Sequence, residues 1–261
     1  MATAPTQHKI SRYGWVPDFP DARDHLYSAP IAAIGPLPAK VDLRPGCPPV
    51  YNQGQLGSCT ANAIGAAVQF DRKKQGLSPD FMPSRLFIYY NERDIEGTVG
   101  NDNGAQIRDG VKSVATTGVC PEDDCPYDIA KFTDKPSPQA YADAARTRVS
   151  SYCRVARSLM QMKGCLAAGY PFVFGFSVYD SFEGEEVAQT GVLQMPDLSK
   201  ETLLGGHAVL AVGYDDAEQR FLVRNSWGDG WGQQGYFTMP YSYLLEANLS
   251  DDMWTLRLIA E

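Results

Sequence analysis

The sequence predicts an α+β protein in which a helical half precedes a β-rich half. Two observations carry this prediction. Between residues 59 and 118 apolar side chains recur at helical spacing, whereas from residue 170 onward short apolar runs alternate with Gly, Asp and Asn turns. Helices first and strands afterwards are typical of α+β folds, in which the two kinds of element segregate. A chain of 261 residues is long enough to bury a substantial core.

Four helices are predicted from apolar spacing and stop signals. The first begins at Cys59 and ends at Gly76, and its many small residues predict a central, buried helix. The other three are the segments SRLFIYYNERDIEG, AQIRDGVKSVATTG and RSLMQMKGCLAAG. The predicted strands are PFVFGFSVY, GGHAVLAVGYD, RFLVRNSWG and QGYFTMP. We therefore expect a mainly helical lobe over residues 39–130 and a mainly β lobe over residues 131–261, which together form one unit.

Residues 1–38 form a leader that differs from the body of the chain. Prolines at positions 17, 20, 30, 36 and 38 exclude a long helix. Trp15, Phe19 and Tyr27 give the leader apolar anchors. We expect it to lie extended across the surface of the body, and a disordered tail is the alternative.

The composition limits the partners of the chain. A formal net charge of −8 argues against nucleic acid, because a nucleic-acid binder needs a clustered basic surface. No segment reaches the roughly 20 apolar residues of a membrane-spanning helix. The N-terminus lacks the apolar core of a signal peptide. We expect a soluble chain that is cytoplasmic by default, with non-classical export left open.

The cysteine and histidine content argues against a metal site. The six cysteines, at positions 47, 59, 120, 125, 153 and 165, contain no CxxC pair, and three histidines are few for metal binding. The segment CPEDDC could close a small disulfide loop between Cys120 and Cys125. Isolated reduced thiols are the alternative, and they fit a cytosolic protein.

Cys59 stands at the predicted start of the first helix. A free cysteine is often a buried structural residue. A nucleophilic cysteine has to be a thiolate, and both a helix N-terminus and a neighbouring imidazolium lower the pKa of a thiol. Cys59 has the helix, and His207 opens the strand HAVLAVGY. Acyl transfer also needs donors for the developing oxyanion, which the Cys59 backbone N–H and the Gln53 side-chain amide offer.

The segments NQGQLGSC, GGHAVLAVGY and NSWGDGWGQQGY together resemble the papain-like cysteine peptidase family over essentially residues 40–250. His207 follows Cys59 by 148 residues, within the family's spacing of about 130–150. The resemblance implies a helical left domain that carries the cysteine, a β-barrel right domain that carries the histidine, and an active-site cleft between them. It implies that Cys59 is the nucleophile, His207 the general acid and base, Asn225 the ring-orienting amide and Gln53 the oxyanion donor.

The resemblance also implies a substrate-binding cleft. DNGAQ resembles the family segment that pairs with the substrate backbone, and FVFGF is expected to line a pocket for an apolar substrate side chain. Trp227 resembles the indole that shields the His–Asn hydrogen bond from water. The predicted substrate-binding residues are Gly104, Ala105, Gly175, Gly205, Gly206 and Trp227.

Two positions depart from the family pattern. The family commonly has Cys where this chain has Leu56, and Trp where it has Thr60. We expect a short leader in place of the family's long helical prodomain, and this leader resembles that of a bacterial subgroup of the family. A further hypothesis is that the leader acts as an intramolecular inhibitor that restricts access to the cleft.

The resemblance implies a cysteine endopeptidase that hydrolyses peptide or protein substrates through a thiolate–imidazolium pair and an acyl-enzyme. No metal or organic cofactor is needed for this chemistry. Two alternatives stay open at this point: a catalytically silent binding protein on the same fold, and transfer of the acyl group to an amine. The sequence leaves the oligomeric state open.

Overall fold

The computed structural model describes Ile10, residues 12–29 and residues 36–258. The helices are α1 (Cys59–Lys74), α2 (Arg85–Glu96), α3 (Ile107–Thr116), α4 (Pro138–Ala144), α5 (Leu159–Ala167), α6 (Glu185–Thr190) and α7 (Tyr241–Leu245). The strands are β1 (Lys40–Asp42), β2 (Ser151–Arg154), β3 (Phe172–Tyr179), β4 (Leu203–Asp215), β5 (Arg220–Arg224), β6 (Tyr236–Pro240) and β7 (Ser250–Arg257). The predicted α+β class with a helical and a β lobe is confirmed.

The seven strands form one antiparallel sheet in the order β2-β7-β3-β4-β5-β6, with β1 paired to β4. Strand β4 is the long central strand. Its first part pairs with β3, which places His207 opposite Phe176. Its last part pairs with β5 and β1. The sheet therefore fixes the position of His207 through its pairing with β3.

Helix α1 is central, as its small residues predict. It is buried from Cys59 to Arg72, because its Ala and Gly residues let β4 and helices α2 and α3 approach it closely. Helix α2 begins at the Ser84 cap, whose hydroxyl accepts the Phe87 N–H, and ends at Gly97 in the left-handed conformation. The packing of α1 on β4 places the start of the helix beside the strand that carries His207.

The four predicted helices and four predicted strands are all present, and the remaining elements lacked a sequence signal. Helices α4, α6 and α7 span only one or two turns. Strand β7 begins with SDD rather than an apolar alternation, and Asp252 has a positive φ of 57°. The boundary near residue 130 stays a prediction, and β1 joins the sheet although it lies within residues 39–130.

All six cysteines fall within the described residues, and all six are free. The loop between Cys120 and Cys125 is therefore not closed by a disulfide. Within the same described ranges, no helix is both long and apolar enough to cross a bilayer.

Candidate active site

Cys59 is the first residue of α1 and is fully buried. The turn before it is fixed by the Asp102 carboxylate, which accepts the Gly57 N–H at 3.0 Å and the Tyr89 hydroxyl at 2.5 Å. These bonds hold the thiol at the positive end of the helix dipole. The local sequence therefore places a reactive side chain where a helix N-terminus favours negative charge.

His207 lies on β4 and is also fully buried. Its Nε2 is 2.8 Å from the Asn225 Oδ1, and because an amide oxygen only accepts, Nε2 carries the hydrogen. The Trp227 ring lies 5.3 Å from the imidazole, centroid to centroid, and the Phe176 ring lies 5.8 Å away. Asn225 therefore sets the orientation of the imidazole, and the two aromatic rings exclude water from it.

Cys59 and His207 meet where α1 packs on β4. The Cys59 sulfur lies close to the backbone of Ala208, the residue after His207, and to the backbone of Gly14 in the leader. The Tyr13 ring stands edge-on to the His207 ring with centroids 5.8 Å apart. The leader therefore lies directly over both residues.

The Cys59 thiol is desolvated in this structure. Desolvation raises the pKa of Cys59 to about 12, although backbone donors from Ala208 and Gly14 act in the opposite direction. The sequence predicts a thiolate for the working enzyme. With the leader docked, the thiol is instead the neutral form.

Gln53 is tied to the loop that carries Asn225. Its backbone N–H donates to the Ser226 carbonyl at 2.9 Å, and its side-chain oxygen accepts the Ser226 hydroxyl at 2.6 Å. These bonds fix the orientation of the side-chain amide, and its Nε2 donates one hydrogen to the Leu56 carbonyl at 3.0 Å. An amide NH₂ has two donor hydrogens. The bond to Leu56 uses one of them.

The backbone groups of the predicted cleft are occupied by the leader. Trp15 donates its N–H to the Gly206 carbonyl at 2.8 Å. Ala105 donates its N–H to the Gly14 carbonyl at 2.9 Å, and its own carbonyl accepts the Val16 N–H at 3.1 Å. The leader thus forms a short parallel bridge between Trp15 and Ala105. It uses the polar groups that an extended peptide bound in the cleft would use.

The predicted cleft glycines are needed for this close approach. A Cβ on Gly104, which has a φ of 76°, would lie 2.0 Å from the Gly14 carbonyl oxygen. A Cβ on Gly175 would lie 2.0 Å from the Trp15 indole. Those on Gly205 and Gly206 would lie 2.8 Å from Tyr13 and 2.7 Å from Trp15, respectively. Five of the six predicted substrate-binding residues therefore lie against the leader.

Trp227 is the exception among the six. It is buried behind His207, with ring centroids 5.1 Å from both Phe182 and Trp231. The structure therefore places Trp227 where an indole shields the His207–Asn225 hydrogen bond, and not in the wall of the cleft.

Sequence reasoning missed an ion-pair cluster that fastens the leader beside the cleft. Arg108 on α3 donates Nε to one Asp24 carboxylate oxygen at 3.0 Å and a second nitrogen to the other at 2.6 Å. Arg154 on β2 hydrogen-bonds to Asp252 at 2.9 Å and lies 3.4 Å from Asp24. These residues come from four distant parts of the chain, so no local pattern marks them.

Asp18 of the leader makes two hydrogen bonds to β7, next to this ion-pair cluster. Asp18 donates its N–H to the Asp252 carboxylate at 2.7 Å and accepts the Trp254 indole N–H at 2.8 Å. Burial and the Asp252 charge raise the pKa of Asp18 to about 7, and burial also raises the pKa of Asp252. A proton on this pair therefore stabilises the docked leader.

One predicted anchor of the leader is wrong. The Phe19 side chain is 75% exposed, whereas the Trp15 and Tyr27 side chains pack against the body. The Phe19 backbone is the part that binds, since its carbonyl accepts a nitrogen of Arg108 and its N–H donates to Gln106 at 3.1 Å.

The fold and the site together define a cysteine peptidase of the papain type. Residues 37–252 match the profile of the papain family cysteine proteases, and the chain belongs to that family. Among solved structures it is similar to xylellain, a cysteine protease from Xylella fastidiosa. The two chains share 47% sequence identity with a TM-score of 0.90, and the match covers 99% of this chain and all of xylellain.

Similarity extends to proteins from other sources. The chain is 44% identical over 218 residues to an uncharacterised peptidase C1-like protein of Acanthamoeba polyphaga mimivirus. The match covers 80% of this chain and 70% of the viral protein. It is 30% identical to the cathepsin B-like protein CP2 of Giardia intestinalis, over 78% of this chain and 69% of that protein. The fold is shared with a procathepsin B of Trypanosoma congolense at a TM-score of 0.75 and 18% identity, covering 95% of this chain and 87% of that one.

Proposed function

We propose that this protein is a cysteine endopeptidase that its own leader holds in a closed state. The observation that carries the proposal is the position of Tyr13, Gly14 and Trp15. They lie over Cys59 and His207 and are hydrogen-bonded to both walls of the cleft.

The side chains of the site are suited to acyl transfer. With the leader displaced, the Cys59 proton passes to His207, and because Nε2 is bound to Asn225 the proton is carried on Nδ1. The thiolate then attacks the carbonyl carbon of a peptide bond. The negative charge that develops on the carbonyl oxygen is stabilised by the Cys59 backbone N–H and by the Gln53 amide.

His207 completes both halves of the reaction. It returns its proton to the leaving amine as the carbon–nitrogen bond breaks, which leaves a thioester on Cys59. A water molecule then gives a proton to His207 and adds to the thioester carbonyl. Collapse of this adduct releases the carboxylic acid product and the Cys59 sulfur. Asn225 keeps the ring in one orientation throughout.

The pocket occupied by Trp15 supports the expected preference for apolar side chains. The indole lies over Gly175 and Gly206, where the absence of side chains leaves room for a flat ring. Trp15 is also packed against the core cluster around α1. We expect a large apolar or aromatic substrate side chain to bind there once the leader has left.

The leader fits the closed state only because its central residue is Gly14. A Cβ at this position would lie 1.7 Å from the Gly57 carbonyl oxygen, and that oxygen belongs to the fixed turn before Cys59. Alanine at position 14 therefore prevents docking while the chain keeps its full length. Gly14→Ala therefore provides a full-length chain in which the leader does not cover the cleft, and it serves as the control with an open cleft.

Labelling with an epoxysuccinyl inhibitor tests the proposed activity. We expect the inhibitor to modify Cys59 and no other cysteine, as mapped by mass spectrometry, and to do so faster in the Gly14→Ala chain. Cys165→Ala is the matched control, because Cys165 is also free and fully buried. It is expected to leave labelling and peptide hydrolysis unchanged, whereas Cys59→Ala abolishes both. Peptide hydrolysis by the Cys59→Ala chain would contradict the proposal.

A further inference from the structure

A buried carboxyl group lies directly behind the nucleophile. Glu92 on α2 is fully buried, and its Oε1 accepts the hydroxyl of Thr60 at 2.6 Å. Thr60 is the residue after Cys59, in the first turn of α1. Glu92 Oε2 makes no hydrogen bond to the described part of the chain, and it lies close to Gly110 on α3.

The charged groups around Glu92 do not neutralise it. Arg93, the next residue on α2, directs its guanidinium to the carbonyls of Tyr89, Val99 and Asn101 and to that of Phe132. The other titratable groups that act on it are the acids Glu96 on α2 and Asp109 on α3, which add negative charge. The Arg93 charge favours the carboxylate form of Glu92, but Arg93 donates its hydrogen bonds to backbone carbonyls, and the complete burial of the acid outweighs that charge. Glu92 therefore holds a proton.

We propose that Glu92 is a positioning residue for the nucleophile: a neutral carboxylic acid that binds the Thr60 hydroxyl and so fixes the first turn of α1. The inference rests on the proposed function, since it assigns Glu92 a role in the chemistry of Cys59. The turn that it fixes carries both the thiol and the Cys59 N–H that binds the oxyanion. Rotation of this turn would move both groups relative to His207.

The neutral state of the acid matters for the same reason. A negative charge on Glu92 would oppose formation of the thiolate, since Glu92 and Cys59 interact electrostatically. A protonated acid keeps the hydrogen bond to Thr60 and adds no such charge. Thr60 stands at the position where the family commonly has a tryptophan after the nucleophile.

The test compares full-length chains that all carry Gly14→Ala. Glu92→Gln keeps a neutral acceptor for Thr60, Glu92→Leu removes the acceptor at similar volume, and Thr60→Val removes the hydroxyl. We expect Glu92→Leu and Thr60→Val each to lower kcat about tenfold with KM unchanged, as for one lost buried hydrogen bond. The double variant is expected to lose no more than either single one. Glu92→Gln is expected to restore kcat to within about twofold of the parent.

A second readout separates positioning from simple destabilisation. The rate of Cys59 alkylation by iodoacetamide is followed against pH. We expect the acid limb of this pH–rate profile to shift to higher pH in Thr60→Val and Glu92→Leu, but not in Glu92→Gln. Full kcat in Thr60→Val, or a loss in Glu92→Gln as large as in Glu92→Leu, would overturn the inference. If the Gly14→Ala parent is not labelled at Cys59, the proposed function itself fails and the inference fails with it.

Discussion

The indole nitrogen of Trp15 donates a hydrogen bond to the Asp252 carboxylate at 3.0 Å. This bond joins the leader to β7. Asp252 also accepts a hydrogen bond from Arg154. One carboxylate therefore connects Trp15, which fills the pocket, with the ion-pair cluster that holds the rest of the leader. Occupation of the cleft and attachment of the leader are therefore physically coupled.

Replacing Trp15 is expected to open the site in two steps. Trp15→Phe keeps an aromatic ring over Gly175 but loses the bond to Asp252, and it should raise the rate of Cys59 inactivation by an epoxysuccinyl inhibitor about tenfold, as for one hydrogen bond to a charged group. Trp15→Ala also loses the apolar contact and should raise the rate further. Phe19→Ala is the matched control, since that ring is exposed. Equal rates in Trp15→Ala and wild type would contradict this account of the pocket.

The Arg108–Asp24 ion pair is expected to act as a unit. Both partners are mostly buried and the pairing is bidentate, so its loss should weaken leader docking more than the loss of an ordinary surface pair. Arg108→Gln and Asp24→Asn should each raise the inactivation rate about tenfold, and the double variant should exceed neither. Fully additive effects would show that the two residues act independently. The Arg23–Asp21 pair is exposed at Arg23 and serves as the control.

Leader docking is expected to weaken as pH rises. The pKa of Asp18 is about 7 when docked, because of burial and the nearby Asp252, against an ordinary value of 3.8. Below the ordinary value the proton is bound in both states, so docking is strongest there. As pH rises toward 7 the displaced leader ionises first, and docking loses free energy. Arg108 and Arg154, which also face Asp18, stay charged throughout this range.

The ratio of inactivation rates of wild type and Gly14→Ala measures how leader docking changes with pH, and Asp18→Asn separates the part due to Asp18 from the part due to the Cys59 thiol, whose pKa is also raised in the docked structure. We expect the ratio to rise more than about tenfold between pH 4 and pH 8. Asp18→Asn should flatten most of the rise. A ratio that falls with pH would show that the docked Asp18 is ionised and stabilised by the two arginines.

Asn225 is expected to affect turnover rather than binding. Its amide oxygen fixes the His207 ring, and Asn225 itself is buried. In the Gly14→Ala background, Asn225→Ala should lower kcat about a hundredfold, a part of what general acid–base catalysis contributes, with little change in KM. Steady-state kinetics on a fluorogenic peptide measure both constants. A change confined to KM would place Asn225 in substrate binding instead.

The parts of the fold that were predictable have a strong local signal. Helix α1 is predictable because residues at helical spacing run from Cys59 to the stop at Gly76, and β4 is predictable because it is a long apolar run. The arrangement around Cys59 and His207 was accessible because each catalytic candidate sits in its own short motif. Strand β7 was not, since its pairing partners β2 and β3 are distant and its first residues are acidic.

The attachment of the leader could not be predicted for a different reason. The prolines and aromatic residues show that residues 1–38 are not helical, but they do not show which side chains turn inward. Phe19 faces solvent because its backbone is held by Arg108 and Gln106, and these lie about 90 residues further along the chain. Asp18 and Asp252 become a pair only once the sheet has formed. Contacts of this kind depend on tertiary structure and have no local sequence pattern that predicts them.

The hydrolysis rate of a fluorogenic peptide by full-length wild type and full-length Gly14→Ala tests the central claim most directly. We expect kcat/KM to rise at least about tenfold in Gly14→Ala, because a backbone clash excludes the leader from the cleft. Phe19→Ala should stay at the wild-type value, and Cys59→Ala should be inactive in either background. A Gly14→Ala chain that folds normally and hydrolyses the peptide no faster than wild type would contradict the claim that the leader closes the active site.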